Sequence, residues 1–156
     1  MPVRIDVSAP DDPRGAHVVA NAPLVGVTGL EACRVTRVHH VEGELDDEDV
    51  ARLCAEVLVD PVVDEAVIGE AAPALGRVVE VALMPGATDA DARELERAAA
   101  NLGLPAVTVA TARRYDLIGS LSDADVTVLT RRLLANDTIE VTAEGPLPPD
   151  LSLIHI

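Results

Sequence analysis

The sequence predicts an α+β fold made of two tandem strand–helix–strand–helix–strand units that pair as a pseudo-dimer. Three observations predict it. A repeat with an offset of 76 residues lays Gly43-Glu44-Leu45-Asp46-Asp47-Glu48-Asp49-Val50 over Gly119-Ser120-Leu121-Ser122-Asp123-Ala124-Asp125-Val126, and Arg37 over Arg113. The hydrophobic period switches between two and the helical spacing in the same order in both halves. The 156 residues are 49% hydrophobic yet hold one Tyr and no Phe or Trp, so the core must be built from aliphatic side chains. The units are residues 1–70 and 77–145. Ala71-Ala72-Pro73-Ala74-Leu75-Gly76 is the linker between them, and 146–156 is a second linker or a truncated tail.

The first strand of each half alternates. Val3, Ile5 and Val7 face one way against Arg4 and Asp6, and Val79, Val81 and Leu83 face one way against Glu80, as in a half-buried strand. Pro10 and Pro85 close these strands. The first helix of the second half takes Thr88 as N-cap, carries the stripe Leu95, Ala98, Ala99 and Leu102, and stops at Gly103. Its counterpart begins at Asp12-Pro13-Arg14-Gly15, carries Val18, Val19 and Ala22, and ends or kinks at Pro23. The middle strands cover about Ala32–Val41 and Ala106–Leu117.

The second helices start at the N-caps Asp46 and Ser122. Asp49 and Asp125 add negative charge to the first turn, where the helix dipole favours it. Val50, Leu53, Cys54, Val57 and Leu58 make one apolar stripe, and Val126, Leu129, Thr130, Leu133 and Leu134 repeat its spacing. Asp60-Pro61 and Asn136-Asp137 break these helices, and final strands follow at Val62–Ile68 and Thr138–Ala143. Such a unit, with a long middle strand and two helices on one sheet face, resembles a ferredoxin-like sandwich. Units of about 70 residues bury too little surface to be stable alone, so two are expected to share a core.

Composition excludes several function classes. Acidic residues number 27 against 12 basic, for a net charge of −15, and every basic residue is Arg. That sign and the missing aromatic platforms disfavour nucleic acid as a partner. No run of about 18 apolar residues offers a membrane span, and Met1-Pro2-Val3-Arg4 is not the start of a signal peptide. A cytoplasmic protein is expected. Without Lys there is neither a P-loop Lys nor a Schiff-base Lys.

Several residue clusters suggest chemistry but have simpler readings. The acidic run Glu42–Asp49 lacks the spacing of a calcium loop and reads as a solvated helix start. His39 and His40 are neighbours on a strand and point to opposite faces, so no metal site is expected; one His should pack and the other be exposed. Cys54 lies on a helix stripe as core, and Cys33 opens a strand with no base nearby in sequence. No catalytic residue is assigned. The positive feature is Ala112-Arg113-Arg114-Tyr115-Asp116-Leu117, where the only aromatic residue sits among arginines. Arg113 and Tyr115 share one strand face and Arg114 takes the other. Tyr and Arg are enriched at interface hot spots, and Arg37 and His39 occupy the matching positions of the first half. Arg37, His39, Arg113, Arg114 and Tyr115 are therefore the candidate partner-interface residues. The simpler reading is a strand whose Tyr packs and whose Arg residues pair with local acids.

At these residues the chain resembles tandem units of the PurS-like family, the small component of phosphoribosylformylglycinamidine synthase. Asp12-Pro13-Arg14-Gly15 is similar to the family's helix start, and Pro85-Gly86-Ala87-Thr88-Asp89 to its turn. Arg113-Arg114-Tyr115-Asp116-Leu117 is similar to its Gly-Lys-Arg-Tyr-x-Leu strand, with Ala112 in place of Gly and Arg113 in place of Lys. Val57-Leu58-Val59-Asp60-Pro61-Val62-Val63 is similar to its helix end, and Leu133-Leu134-Ala135-Asn136-Asp137-Thr138-Ile139 follows less closely. The resemblance implies a non-catalytic part of an ATP- and glutamine-dependent ligase of purine biosynthesis, joining a synthetase to a glutaminase. It implies no cofactor on this chain, with ATP and magnesium on the partner synthetase, and it leaves room for self-association. It is compatible with the N-terminal part of a fused synthase or with a double-length small subunit. Gly145-Pro146-Leu147-Pro148-Pro149-Asp150 reads as a linker. Leu151–Ile156 has no counterpart in the repeat and reads as a fragment edge or a translation artefact, with a short strand as the alternative. Two other classes of function compete: an amino-acid-sensing ferredoxin-like domain, and a small enzyme using His39 or His40.

Overall fold

The computed structural model describes residues 2–148. The tail Leu151–Ile156, for which a short strand is only the alternative reading, lies outside them. The order of elements is β1 (Val3–Ser8), α1 (Pro13–Asn21), β2 (Leu30–Gly43), α2 (Asp47–Leu53), β3 (Glu65–Ile68), β4 (Arg77–Leu83), α3 (Ala90–Asn101), β5 (Val107–Gly119), α4 (Asp123–Leu129) and β6 (Glu140–Glu144). The fold is α+β. All strands pair antiparallel in one six-stranded sheet of order β3-β1-β2-β5-β4-β6. The two longest strands, β2 and β5, meet in the middle, from Leu30 opposite Gly119 to Gly43 opposite Val107.

Local chemistry sets the helix boundaries. Asp12 caps α1 by accepting from the Arg14 N–H, and Pro13 supplies the first helical residue, where its missing N–H costs nothing. A 3-10 turn at Ala22–Val25 follows and ends at Gly26 in the left-handed region (φ 84°). α1 lies so close to β2 that a Cβ at Gly15 would strike the Cys33 carbonyl oxygen. α2 and α4 start with matching capping boxes, Asp46 with Asp49 and Ser122 with Asp125. Both helices widen at their ends into π turns, Cys54–Leu58 and Thr130–Leu134. α3 is capped by Asp89, not by Thr88: Asp89 reaches the Ala92 N–H at 2.9 Å, so the helix starts one residue later than expected. The last strands are also shorter than expected at their starts. Asp60 and Asn136 hold turns through their side chains, on the N–H groups of Val62 and Thr138, and delay β3 and β6.

Odd-numbered residues of the four longer strands face the helices. Two aliphatic cores form there, and each draws on both halves of the chain. One joins Ile5, Val7 and Val41 to Leu53 and Leu58, and to Leu95, Ala99 and Val109 of the second half. The other joins Val18, Ala22 and Val35 to Val79, Val81, Leu117, Leu129 and Leu134. Thus α3 lies on β5 and packs beside the α2 segment, and α1 lies on β2 and packs beside the α4 segment, so the first helix of each half sits on its own long strand next to the other half's second helix. Neither half owns a complete core.

The other sheet face carries even-numbered residues, and here the half-buried reading of the strands is corrected. Asp6, Thr36, His40, Glu80, Arg114 and Asp116 are all buried. The reason is the linker, which crosses this face instead of spanning free solvent. The Ala72 N–H donates to Asp6 Oδ2 and the Leu75 N–H to Asp116 Oδ2, both at 2.9 Å. Arg114 donates to the carbonyl oxygens of Ala72 (2.6 Å) and Pro73 (3.3 Å). Beneath it runs a continuous line of charges, Glu80–Arg4–Asp6–Arg114–Asp116, with closest N···O distances of 2.6, 2.8, 3.6 and 2.9 Å. Leu147, beyond β6, donates its N–H to Glu80 Oε1.

Buried ions need partners, and removing one leaves its neighbours uncompensated. Arg114→Ala should therefore lower stability in urea denaturation by about 3–5 kcal/mol. Arg52→Ala, which breaks a solvent-exposed pair with Glu56, should cost under about 1 kcal/mol.

Candidate functional site

The two helix pairs do not close completely over the sheet. Between them lies a cavity of about 670 Å³. Arg37 of β2 and Arg113 of β5 form its floor, and they are direct cross-strand partners at the middle of the central ladder. Like charges in that position repel, and each guanidinium is offset by an acid of its own half. Arg37 Nη2 donates to Asp64 Oδ2 at 2.9 Å and to the Leu58 carbonyl at 3.5 Å. Arg113 donates to Glu140 Oε2 at 2.7 Å and to the Leu134 carbonyl at 3.0 Å. Leu58 and Leu134 end the π turns, where helix carbonyls lack intrahelical partners. The two arginines thus tie helix ends, strand starts and the sheet centre together. Burial opposes the Arg113 charge, but the bonds with Glu140 and Tyr115 outweigh it and hold its pKa above the ordinary value. On Glu140 burial is likewise outweighed by the guanidinium, and its pKa is lowered.

Of the predicted interface residues, Arg37, His39, Arg113 and Tyr115 share the helix-side face. Tyr115 Oη accepts from Arg113 Nε at 3.0 Å, and the guanidinium carbon lies 6.0 Å from the ring centroid. Tyr115 is 7% exposed, so its ring serves the core. The Arg113 and Arg37 side chains are 34% and 44% exposed and reach the cavity. Arg114 is not brought to this site: it lies on the opposite face, 2% exposed, bonded to Asp116 and to the linker. Its contact is inside the chain.

Both histidines are buried, which corrects the expectation of one exposed ring. Neither face of β2 is open at this point: helices lie over His39, and His40 faces the side where Leu147 and Pro148 border a smaller cavity. His39 Nδ1 donates to the Ile5 carbonyl at 3.1 Å. Cys54 is buried in the helix-side core. Cys33 has its thiol pushed up to about 12, first by burial and then by Asp116 and Asp12. It stays protonated and is a poor nucleophile at neutral pH.

Three cavity residues carried no sequence signal as site residues. Arg14 comes from the first turn of α1, fixed to Asp12 at 2.8 Å, and Asp91 and Glu94 come from the first turns of α3. They converge because β2 and β5 are neighbours in the sheet, so α1 on β2 and α3 on β5 border one space, a placement that a linear pattern does not carry. Asp89 on the same rim is engaged at both oxygens, by the Ala92 N–H and by the N–H and hydroxyl of Thr111. Among the described residues no group of three or more His, Cys, Asp or Glu side chains is arranged to hold a metal ion. Nor is any helix among them long and apolar enough to cross a membrane. No family model and no curated protein matches the chain.

Burial holds both imidazoles below the ordinary value of 6.5. The unfolded chain therefore takes up protons first as pH falls. The stability contributed by the neutral rings is complete above about 6.5 and is lost below it, at up to about 1.4 kcal/mol per pH unit for each ring. Urea denaturation across this range should show that slope, and His39→Gln with His40→Gln should flatten it.

Proposed function

We propose that the chain is a double PurS-like unit acting as a non-catalytic assembly module of the glutamine-dependent phosphoribosylformylglycinamidine synthase complex, bridging synthetase and glutaminase. One observation carries the reading: the motifs of the resemblance sit at equivalent joints of both halves and make the same bonds 76 residues apart. Arg37 holds the Leu58 carbonyl and Asp64, and Arg113 holds the Leu134 carbonyl and Glu140. The Asp60 N–H donates to Asp64, and the Asn136 N–H donates to Glu140. This recurrence supports reading residues 1–70 and 77–145 as copies of one ferredoxin-like unit fused into a pseudo-dimer.

On this reading the chain contributes surface and spacing, while ATP and magnesium belong to the synthetase. Arg37 and Arg113 are the contact residues best supported, because both combine partial exposure with a rigid mount. Tyr115 and His39 act behind them by fixing the strands, and Arg114 holds the linker. Co-purification of the full chain with folded synthetase and glutaminase should recover a ternary complex. Recovery of neither partner would overturn the proposal.

A further inference from the structure

A second cavity, of about 480 Å³, opens on the other face of the sheet, beside the turn that leads into α3. Its volume lies within the range of about 300–1,000 Å³ found for small-molecule sites. The floor is low and apolar. Ala110 and Ala112 of β5 adjoin Ala82 of β4, with Ala112 directly opposite Ala82 and Ala110 opposite His40. The fold does not require this space. At the matching positions of the first half stand Asp6, Arg34 and Thr36, and there the face is filled by larger side chains and by the linker bonded to Asp6. Met84, Val141, Leu147 and Pro148 make apolar walls around the alanines. His40 borders the floor. It is only 7% exposed, yet it makes no hydrogen bond among the described residues. Its ring nitrogens are not sealed in the core, and the side chain lines the cavity. Buried polar groups take partners, and for this imidazole the partner must come from within the cavity. The two charged residues of the lining are already engaged. Asp89 accepts from the N–H groups of Ala92 and Thr111, and Arg93 is held by the Val109 carbonyl and Glu96.

We propose that this cavity binds a small, uncharged, planar heteroaromatic molecule whose ring edge exchanges a hydrogen bond with His40. The ring lies on the alanine floor, where three methyl groups on neighbouring strands present a flat surface. His40, larger than the alanines beside it, meets the ring edge. A neutral imidazole carries one N–H donor and one acceptor nitrogen, so it serves a ring nitrogen or a ring N–H. The apolar walls cover the rest of the ligand. A carboxylate or an ammonium would be buried without a free counter-charge, which is costly. A pure hydrocarbon ring would leave the imidazole unpaired. A puckered saturated molecule would touch the flat floor with only part of its surface. The inference goes beyond the assembly role and does not rest on it, since complex formation and ligand binding are read by separate measurements.

Titration of the full chain with benzimidazole, indole and adenine at neutral pH provides the test, followed by calorimetry and by the nitrogen resonances of the His40 ring. Indene, benzimidazole carboxylate and cyclohexanecarboxamide serve as the hydrocarbon, charged and non-planar controls. At least one of the three heteroaromatic probes should bind saturably and shift the His40 ring signals. Each control should bind about tenfold or more weakly, as expected for a lost hydrogen bond or an unpaired buried charge. His40→Leu should weaken the heteroaromatic probe by a similar factor and leave indene unchanged, which a general loosening of the fold would not do. Ala110→Leu raises the floor and should abolish binding of every probe while the circular dichroism spectrum stays the same. Binding by none of the three probes would overturn the proposal. So would binding that leaves the His40 ring signals in place, equal affinity for the carboxylate or for cyclohexanecarboxamide, or full affinity in folded Ala110→Leu.

Discussion

Pairing of β2 with β5 forces Arg37 and Arg113 to face each other at the centre of the sheet, and much of the structure is arranged around that repulsion. Each guanidinium needs a carboxylate, so Asp64 and Glu140 must lie where the last strands begin. Each also takes a carbonyl from the end of a π turn, which fixes how far the second helices run. Above the two partly exposed arginines the helix pairs leave the cavity between them. Turns and helix ends are thus tied to one cross-strand pair and its compensation.

The aliphatic composition explains how this arrangement stays packed. Val, Leu, Ile and Ala fill two separate clusters, each completed by a helix from the other half. Burial of apolar area is then non-local in chain terms, and it joins the halves together with the ladder. The tyrosine is not an exposed anchor. It stands between the Arg113 guanidinium and the core, where its hydroxyl gives Arg113 Nε a partner.

Elements with a local cause could be read from the sequence. The capping boxes at Asp46 and Ser122, the helix start at Pro13 and the apolar stripes of α2 and α4 depend on residues three or four apart. The cap of α3 fell one residue from its expected place because Thr88 and Asp89 are both good caps. Thr111, on a distant strand, also binds Asp89, and that contact is invisible from the sequence. The second sheet face was misread for the same reason. Arg4, Asp6 and Glu80 alternate with aliphatic residues as solvent-facing positions do, and nothing local says that Ala72 will reach Asp6 and Leu147 will reach Glu80 from more than 60 residues away. Arg114 was grouped with Arg113 because they are adjacent, yet adjacency on a strand puts them on opposite faces with unrelated partners. Of the site, Arg37 and Arg113 were legible through the repeat, whereas the placement of Arg14, Asp91 and Glu94 depends on how α1 and α3 are brought together by the pairing of β2 with β5.

The ion pair between Arg4 and Glu80 joins residues 76 positions apart. Two identical chains related by a twofold axis would bring the same residue to both places, Arg against Arg or Glu against Glu. A single continuous chain is free of that rule and can set unlike charges across its own centre. The same freedom extends to Asp6, Arg114 and Asp116, which have Ala82, Val38 and His40 at the matching positions. The molecule therefore has a built-in polarity: its two ends are chemically distinguishable, and neither half can substitute for the other.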